Sequence, residues 1–448
     1  MKRTCRAATL LLLGGAILHA GSWDDLTRSC TRANLSAGKY FLEECAEQIF
    51  TLQPVHPTIS SIAPGTGLAL GLAAGKVFRT DRFEFLPSAL LLGSADHSFL
   101  AGGQIVMAVP PISLAPTWSR SGDSNHRHGT RTIGLITDSV GVDAKASVAL
   151  RFRRFEAADQ AFYGLGPSST RAGQSWFSLR RSEAGLSFDD PLTFWSSIGV
   201  TVDYIQPRVG SSPGTTPGIA TLYTSTTAPG LNSRNNFVRT EPYIQFRLPV
   251  RGSDYTRFKL GYEFFDDLNG GRFSFHRLTG IATGNYTLKL PSRLSPRERS
   301  KLGNYICPSL RSRQHCSPGE LTVTAVADIA YTAKGAQVPM YFDETLGGTD
   351  KNGNDTLRGF ADYRFRGPSA VLFQAEYRHS IWGPVGFLAF YDTGKVGILP
   401  SDLALEHMRH DEGVGFYFRA ANLVVLRAYV GFGSGEGIRP NYKLPAVN

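Results

Sequence analysis

Charge is scarce in this sequence: Asp, Glu, Lys and Arg together make up 19% of its 448 residues. Long apolar runs are scarcer. The stretch AATLLLLGGAILHA at positions 7–20 falls short of the ~20 residues of a membrane-spanning helix. It follows the basic start Met-Lys-Arg-Thr-Cys-Arg and closes on the small residue Ala20, the pattern of a secretory signal peptide over residues 1–20. No later segment reaches helical spanning length, so a membrane-embedded mature chain has to cross as a β-barrel. Cysteine is sparse as well, with 5 in all. Beyond the leader they form two local pairs, Cys30 with Cys45 and Cys307 with Cys316. In an exported chain these suggest two small-loop disulfides, free thiols being the alternative. Neither pair has zinc-ligand spacing. No cysteine directly follows the apolar core of the leader, which argues against a lipoprotein anchor.

Catalytic motifs are also missing. There is no GxSxG elbow and no HExxH. GLAAGKV at Gly71–Val77 is one residue short of a phosphate loop and puts Val77 where a magnesium-binding hydroxyl belongs, so it reads as strand. DKNGND at Asp350–Asp355 misplaces Gly353 for a calcium loop and lacks the closing Glu, so it reads as a hydrated loop. His126 and His128 read as part of a polar loop. The formal charge of +10 is scattered through strand-like segments rather than gathered in a run, which argues against a nucleic-acid partner. The expectation is a non-enzyme with no cofactor and no metal.

What is abundant is glycine, at 48 positions, and aromatic residues, at 11%, a balance suited to a β-rich chain with many tight turns. Residues 22–60 stand apart. NLSAGKYFLEECAEQIF sets Phe41, Cys45 and Ile49 on one helical face, which suggests a short periplasmic segment, 21–64, carrying one helix. From Gly65 onward the period becomes two. RFKLGYEFF sets Phe258, Leu260, Tyr262 and Phe264 against Arg257, Lys259, Gly261 and Glu263. PYIQFRLPV, LTVTAVADIAYT and AVLFQAEYRHSI alternate in the same way. These runs are roughly ten residues long, the length of an outer-membrane strand, whereas soluble strands average ~5–6. Roughly fourteen to sixteen such strands are expected in 65–448, with mid-strand charges facing a wet lumen. The irregular stretches 94–130, Ser211–Ser233 and 280–318 read as surface loops, and long loops are expected on the outer side of a bacterial barrel.

LGGTDKNGNDTLRGFADYRFRG, Leu346–Gly367, then requires a reason for an arginine between Leu357 and Gly359-Phe360. Alternation puts Glu376 on the polar face of the next strand, and it groups Asp392 with Leu388 and Phe390 on the strand after that. Two neighbouring lumen acids repel, and a guanidinium fork between them satisfies both. The loop then folds inward and locks through Arg358, with Gly359 permitting a tight backbone turn and Phe360 packing on the wall. The alternative is an external loop with an ordinary surface arginine.

The block LGG…TLRGF…RFRG, LFQAEYR, FLAFYDTGKV resembles the C-terminal barrel of the bacterial surface antigen family, which includes BamA, TamA and the transporters of two-partner secretion. FYGLGPSST at Phe162–Thr170 is similar to a turn of that family. The resemblance covers about residues 65–445 and is most specific from Leu346 to Val396. It implies a sixteen-stranded transmembrane antiparallel β-barrel with an inward-folded loop and a weak seam between first and last strands. The family tetrad maps to Leu357, Arg358, Gly359 and Phe360, and the acids that meet its arginine map to Glu376 and Asp392. It also implies a place in the bacterial outer membrane, lipids as surroundings, and unfolded outer-membrane or secreted polypeptides as partners. The function expected is insertion or translocation of polypeptides or lipids, with a passive channel or structural barrel as the alternative. Two departures bear on this. Residues 22–60 are too few for a periplasmic POTRA module, and NYKLPAVN, with Pro445, replaces the family's aromatic ending, so the final strand is expected to stop near Leu444.

Overall fold

The computed structural model describes residues 55–80, 82–109, 146–193, 195–248, 255–288, 319–382, 385–420 and 423–443. The leader, the stretch carrying the expected helix, His126, His128 and all of Cys30, Cys45, Cys307 and Cys316 lie outside the described residues.

Sixteen antiparallel strands form one barrel-like sheet with almost no helix. The first half comprises β1 (Val55–Ser60), β2 (Ala69–Gly75, prolonged by Phe78–Arg79), β3 (Glu84–Ser94), β4 (Phe99–Ala108), β5 (Ser147–Phe162), β6 (Ser175–Thr193), β7 (Ser196–Ser211) and β8 (Phe237–Leu248). The second comprises β9 (Tyr255–Asp267), β10 (Phe275–Leu288), β11 (Gly319–Thr332), β12 (Ser369–Trp382), β13 (Val385–Gly397), β14 (Arg409–Ala420), β15 (Leu423–Gly433) and β16 (Gly437–Lys443). Each strand pairs with its neighbours in chain order. Among the described residues no ladder joins β1 to β16. Pro57 lies in β1 and Pro440 in β16, but prolines also lie in strands paired on both sides, Pro87 in β3, Pro191 in β6, Pro207 in β7 and Pro242 in β8, so proline does not mark these two strands out.

The sheet turns its apolar face outward. Leu72, Leu91, Phe152, Leu186, Leu260 and Phe416 each expose more than half of their surface. A soluble sandwich would bury that face, whereas here it suits hydrocarbon. Inward positions hold the charges, among them buried Asp203, Glu263, Arg277, Glu376, Asp392 and Asp411. One end of the lumen is an exception. There Phe162, Phe177, Phe237, Phe265 and Phe275 of the wall meet Ile219, Leu231, Met340 and Phe342 of the connections in one apolar cluster. Phe265 and Phe275 stack with ring centroids 4.3 Å apart.

Four sequence expectations need correction. The sheet begins at Val55, not at Gly65. His56-Pro57-Thr58-Ile59 is a strand despite its proline, and among the described residues its ladder is with β2. The stretches 94–130 and 280–318 contain β4, whose Gly102-Gly103 pair blurs the alternation that marks a strand, and the end of β10, while 110–130 and 289–318 lie outside the described residues. Ser211–Ser233 is not a plain surface loop, since Ile219, Ala228 and Leu231 are buried over the lumen. Finally, the long connections do not all share one side. Antiparallel order places β7–β8 and β11–β12 connections at one end, called the loop end below, and β4–β5 and β10–β11 connections at the other. Strand parity decides the side, whatever the length of the connection.

Candidate functional site: the internal loop

The chain leaves β11 at Thr332 and returns at Ser369. Between them it folds back into the lumen on a two-stranded ribbon, Glu344–Leu346 paired with Phe365–Gly367. Gly347 and Gly348 turn the ribbon with φ of 115° and 54°, and a Cβ at Gly347 would lie 2.3 Å from the Ala361 carbonyl oxygen. The tip closes on itself: the Gly348 N–H donates to the Leu357 carbonyl at 2.7 Å and the Thr356 N–H to the Gly348 carbonyl at 3.0 Å. Leu357, Phe360 and Phe365 are buried together with Leu372 and Val396 of the wall. The Phe162–Thr170 turn covers the loop, with the Gly166 N–H donating to the Arg366 carbonyl at 2.7 Å.

Arg358, 3% exposed, points into the wall. Its Nε donates to Asp392 Oδ2 at 2.8 Å and Nη2 to Oδ1 at 2.8 Å, a bidentate fork. Nη1 pairs with Glu376. The guanidinium carbon lies 3.8 Å from the Phe390 ring centroid, adding a desolvated cation–π contact. Gln374 Nε2 bridges Asp392 Oδ1 and the Thr356 carbonyl, each at 3.2 Å. Glu376 also accepts from Arg378 Nε at 2.7 Å. Gly359 does not supply the expected backbone freedom, because it is not among the residues of positive φ. What it supplies is room. A Cβ there would sit 2.7 Å from both Asp411 Cβ and the Gly433 nitrogen, so a side chain would push the tip off β14 and β15.

Several residues that alternation did not single out join this site. Asp411 of β14 is the direct cross-strand partner of Asp392, is 1% exposed, and its carboxylate oxygens have no hydrogen-bond partner among the described residues. Asp355 accepts from Lys443 Nζ at 2.6 Å and Arg427 Nη1 at 3.1 Å, so β15 and β16 hold it. Arg364 pairs with Glu436 of the β15–β16 turn and donates to the Ser169 carbonyl at 3.0 Å. A chain of ion pairs then runs around the other half of the wall: Arg151–Asp203 2.9 Å, Asp203–Arg239 2.6 Å, Arg239–Glu263 3.0 Å, Glu263–Arg277 3.3 Å. It enters the loop through Arg277–Glu344 at 2.7 Å and Glu344–Lys351 at 2.8 Å. Apart from Glu344 and Lys351, which share the loop, these partners lie on different elements, and register and loop path bring them together. Within the loop, burial pushes the Asp343 carboxyl up to about 7 against the pull of Arg366, Lys351 and Arg277. Burial raises Asp350 to about 6, opposed by the Asn354 and Asn352 amides. Among the described residues no group of three His, Cys, Asp or Glu is placed to hold a metal ion.

BamA from Haemophilus ducreyi lacking POTRA domains 1–3 superposes with TM-score 0.50 at 11% identity, over 86% of this chain and 70% of that one. CdiB from Escherichia coli superposes with TM-score 0.50 at 9% identity, over 88% of this chain and 62% of that one. The fold is that of BamA and CdiB barrels. CdiB from Acinetobacter baumannii gives TM-score 0.46 at 10% identity, over 85% of this chain and 56% of that one. No protein-family model and no curated protein matches the chain. At these identities the likeness concerns architecture alone.

Proposed function

We propose that this chain is a surface-antigen-type barrel of the bacterial outer membrane that inserts or passes polypeptides, or lipids, through a gateable seam, and that it transforms no substrate. The observation that carries the reading is the buried fork of Arg358 on Asp392, with Glu376 at its other nitrogen. A passive pore needs no arginine held at mid-wall by a folded-in loop. One feature supports the seam: no ladder joins β1 to β16 among the described residues. In this role Arg358, Asp392 and Glu376 lock the loop, while Leu357, Gly359 and Phe360 shape its tip.

The test uses the full chain refolded into liposomes. Arg358→Ala leaves buried acids without their cation, a loss of about 3 kcal/mol on the scale of broken buried pairs. The expected outcome is a lower yield of heat-modifiable folded barrel, slower folding of a denatured outer-membrane polypeptide added to the liposomes, and channel recordings that change from low and flickering to open. Arg358→Lys recovers only part, because an ammonium cannot form the fork. Parent protein that gives a large steady conductance and leaves client folding unchanged would instead support the passive-channel reading. An Arg358→Ala barrel equal to the parent in all three measurements would remove the lock.

A further inference from the structure

Outside the lumen, one sector of the wall departs from the apolar pattern. On β5, β6 and β7 the outward positions run in register rows. Phe152, Ala184 and Tyr204 form one row, Arg154, Ser182 and Gln206 the next towards the loop end, and Glu156, Arg180 and Arg208 the one beyond. At about 3.3 Å per residue and a strand tilt of about 40°, Arg180 stands about 30 Å above Leu192 along the barrel axis. An outer-membrane barrel's apolar band is ~25 Å tall. The arginine rows therefore lie where lipid headgroups begin.

The charges in these rows are not balanced. Arg180 and Arg208 are direct cross-strand partners, and like charges placed so are destabilising unless an anion joins them. Arg208 donates only to neutral acceptors, the Pro207 and Asn235 carbonyls and Asn236 Oδ1. Arg154 is exposed and makes no hydrogen bond or ion pair among the described residues. Arg180 forks onto Glu156 at 2.8 and 2.9 Å, but with its side chain 51% exposed that pair is weak and leaves Nη1 free to donate. The next acid along the wall, Asp159, is taken by the Ser212 hydroxyl. At the same height on β9 to β11 the outward residues are Tyr262, Phe264, His276 and Tyr331, with no Lys or Arg.

We propose that the loop end faces outward and that Arg154, Arg180 and Arg208 there form a binding site for the phosphate groups of a glycolipid in the outer leaflet, with the acyl chains lying down the Phe152–Ala184–Tyr204 row and the apolar rows below it. The phosphate bridges Arg180 to Arg208 and relieves their repulsion, while Arg154, nearest the apolar band, takes a second phosphate oxygen. This site rests on the outer-membrane reading above and is independent of whether the barrel handles clients.

The test is binding of lipid A to the full chain in detergent, followed by native mass spectrometry with diphosphoryl, monophosphoryl and dephosphorylated lipid A. The heat-modifiable gel shift of each sample reports the barrel itself, so failure of that reading is seen separately. With parent protein, affinity should fall stepwise as phosphates are removed. Arg154→Gln/Arg180→Gln should bind diphosphoryl lipid A at least about tenfold more weakly than the parent, while Arg272→Gln, on the β9–β10 turn, should match it. Removing the phosphates in the parent tests the site without any substitution. Equal affinity for phosphorylated and dephosphorylated lipid, or equal affinity of parent and double variant, overturns the proposal. Inorganic phosphate that occupies the parent as tightly as diphosphoryl lipid A also overturns it, by making this a free-anion site.

Discussion

Arg358 is held from three directions, by the Asp392 fork, by Glu376, and by the Phe390 face beneath it. Such a fit depends on how closely the tip approaches the wall, and that distance is set by glycine on both sides. A Cβ on Gly431 would lie 2.8 Å from Gly359 Cα, and one on Gly433 would lie 2.6 Å from the Gly359 oxygen. These contacts are backbone to backbone, so no flexible side chain can give way. Gly431→Ala, on a strand that alternation alone would leave unremarked, should therefore weaken loop docking about as much as Gly359→Ala, by ~1–3 kcal/mol on the scale of overpacking. Limited proteolysis of the folded barrel, read as cleavage within 333–368, checks this. Protection equal to the parent in Gly431→Ala would show that the tip does not need the close approach.

At the scale of elements, the loop and the last hairpin form one fastened unit. Asp355 joins Arg427 of β15 and Lys443 of β16, Arg364 joins Glu436 at their turn, and Gly359 lies against Gly431 and Gly433. Since β16 has ladder bonds only to β15 among the described residues, its outer end depends on these side-chain ties. Asp355→Lys should raise amide exchange across Gly437–Lys443 about tenfold, equivalent to ~1.4 kcal/mol. Asp355→Lys/Lys443→Asp should restore much of the protection by re-forming the pair in reverse. Unchanged exchange in the single variant would separate the loop from the final strand. This coupling was not legible in the sequence, whereas the Arg358 contacts were. Glu376 and Asp392 sit on consecutive strands in clean alternating runs, so their facing follows from parity. Asp355, Arg427 and Lys443 are brought together by register and loop path, which parity does not encode. Asp411 escaped for another reason: its strand continues inward through Gly413 and Gly415, and a face of glycine gives alternation little to contrast.

For the whole molecule, the period of two was enough to give a barrel, an outward apolar face and a polar lumen, because those depend only on which way each side chain points. It failed where the lumen stops being polar. Phe265 ends RFKLGYEFF on the side that alternation labels wet, yet it packs against Phe275 and Phe342. The loop end is in fact an apolar dome, and beneath it the loop carries one fully buried carboxyl, Asp343. Both Asp343 oxygens lack a hydrogen-bond partner among the described residues, and burial raises Asp343 to about 7 and Asp350 to about 6. Undocked into water, both return to the ordinary ~3.9. Between about pH 4 and pH 7 the docked loop thus binds more protons than the free loop, and docking weakens as pH rises through that window and levels off above it. Arg366, Lys351 and Arg277 already offset part of the burial at that value, so the change is at most the ~4 kcal/mol of a three-unit shift. In planar bilayers the parent should therefore open more often at pH 8 than at pH 5. Asp343→Asn, neutral throughout, should stay closed at pH 8 and lose most of this dependence. A parent barrel that opens on acidification across the same interval would mean that the buried loop carboxyls do not govern docking.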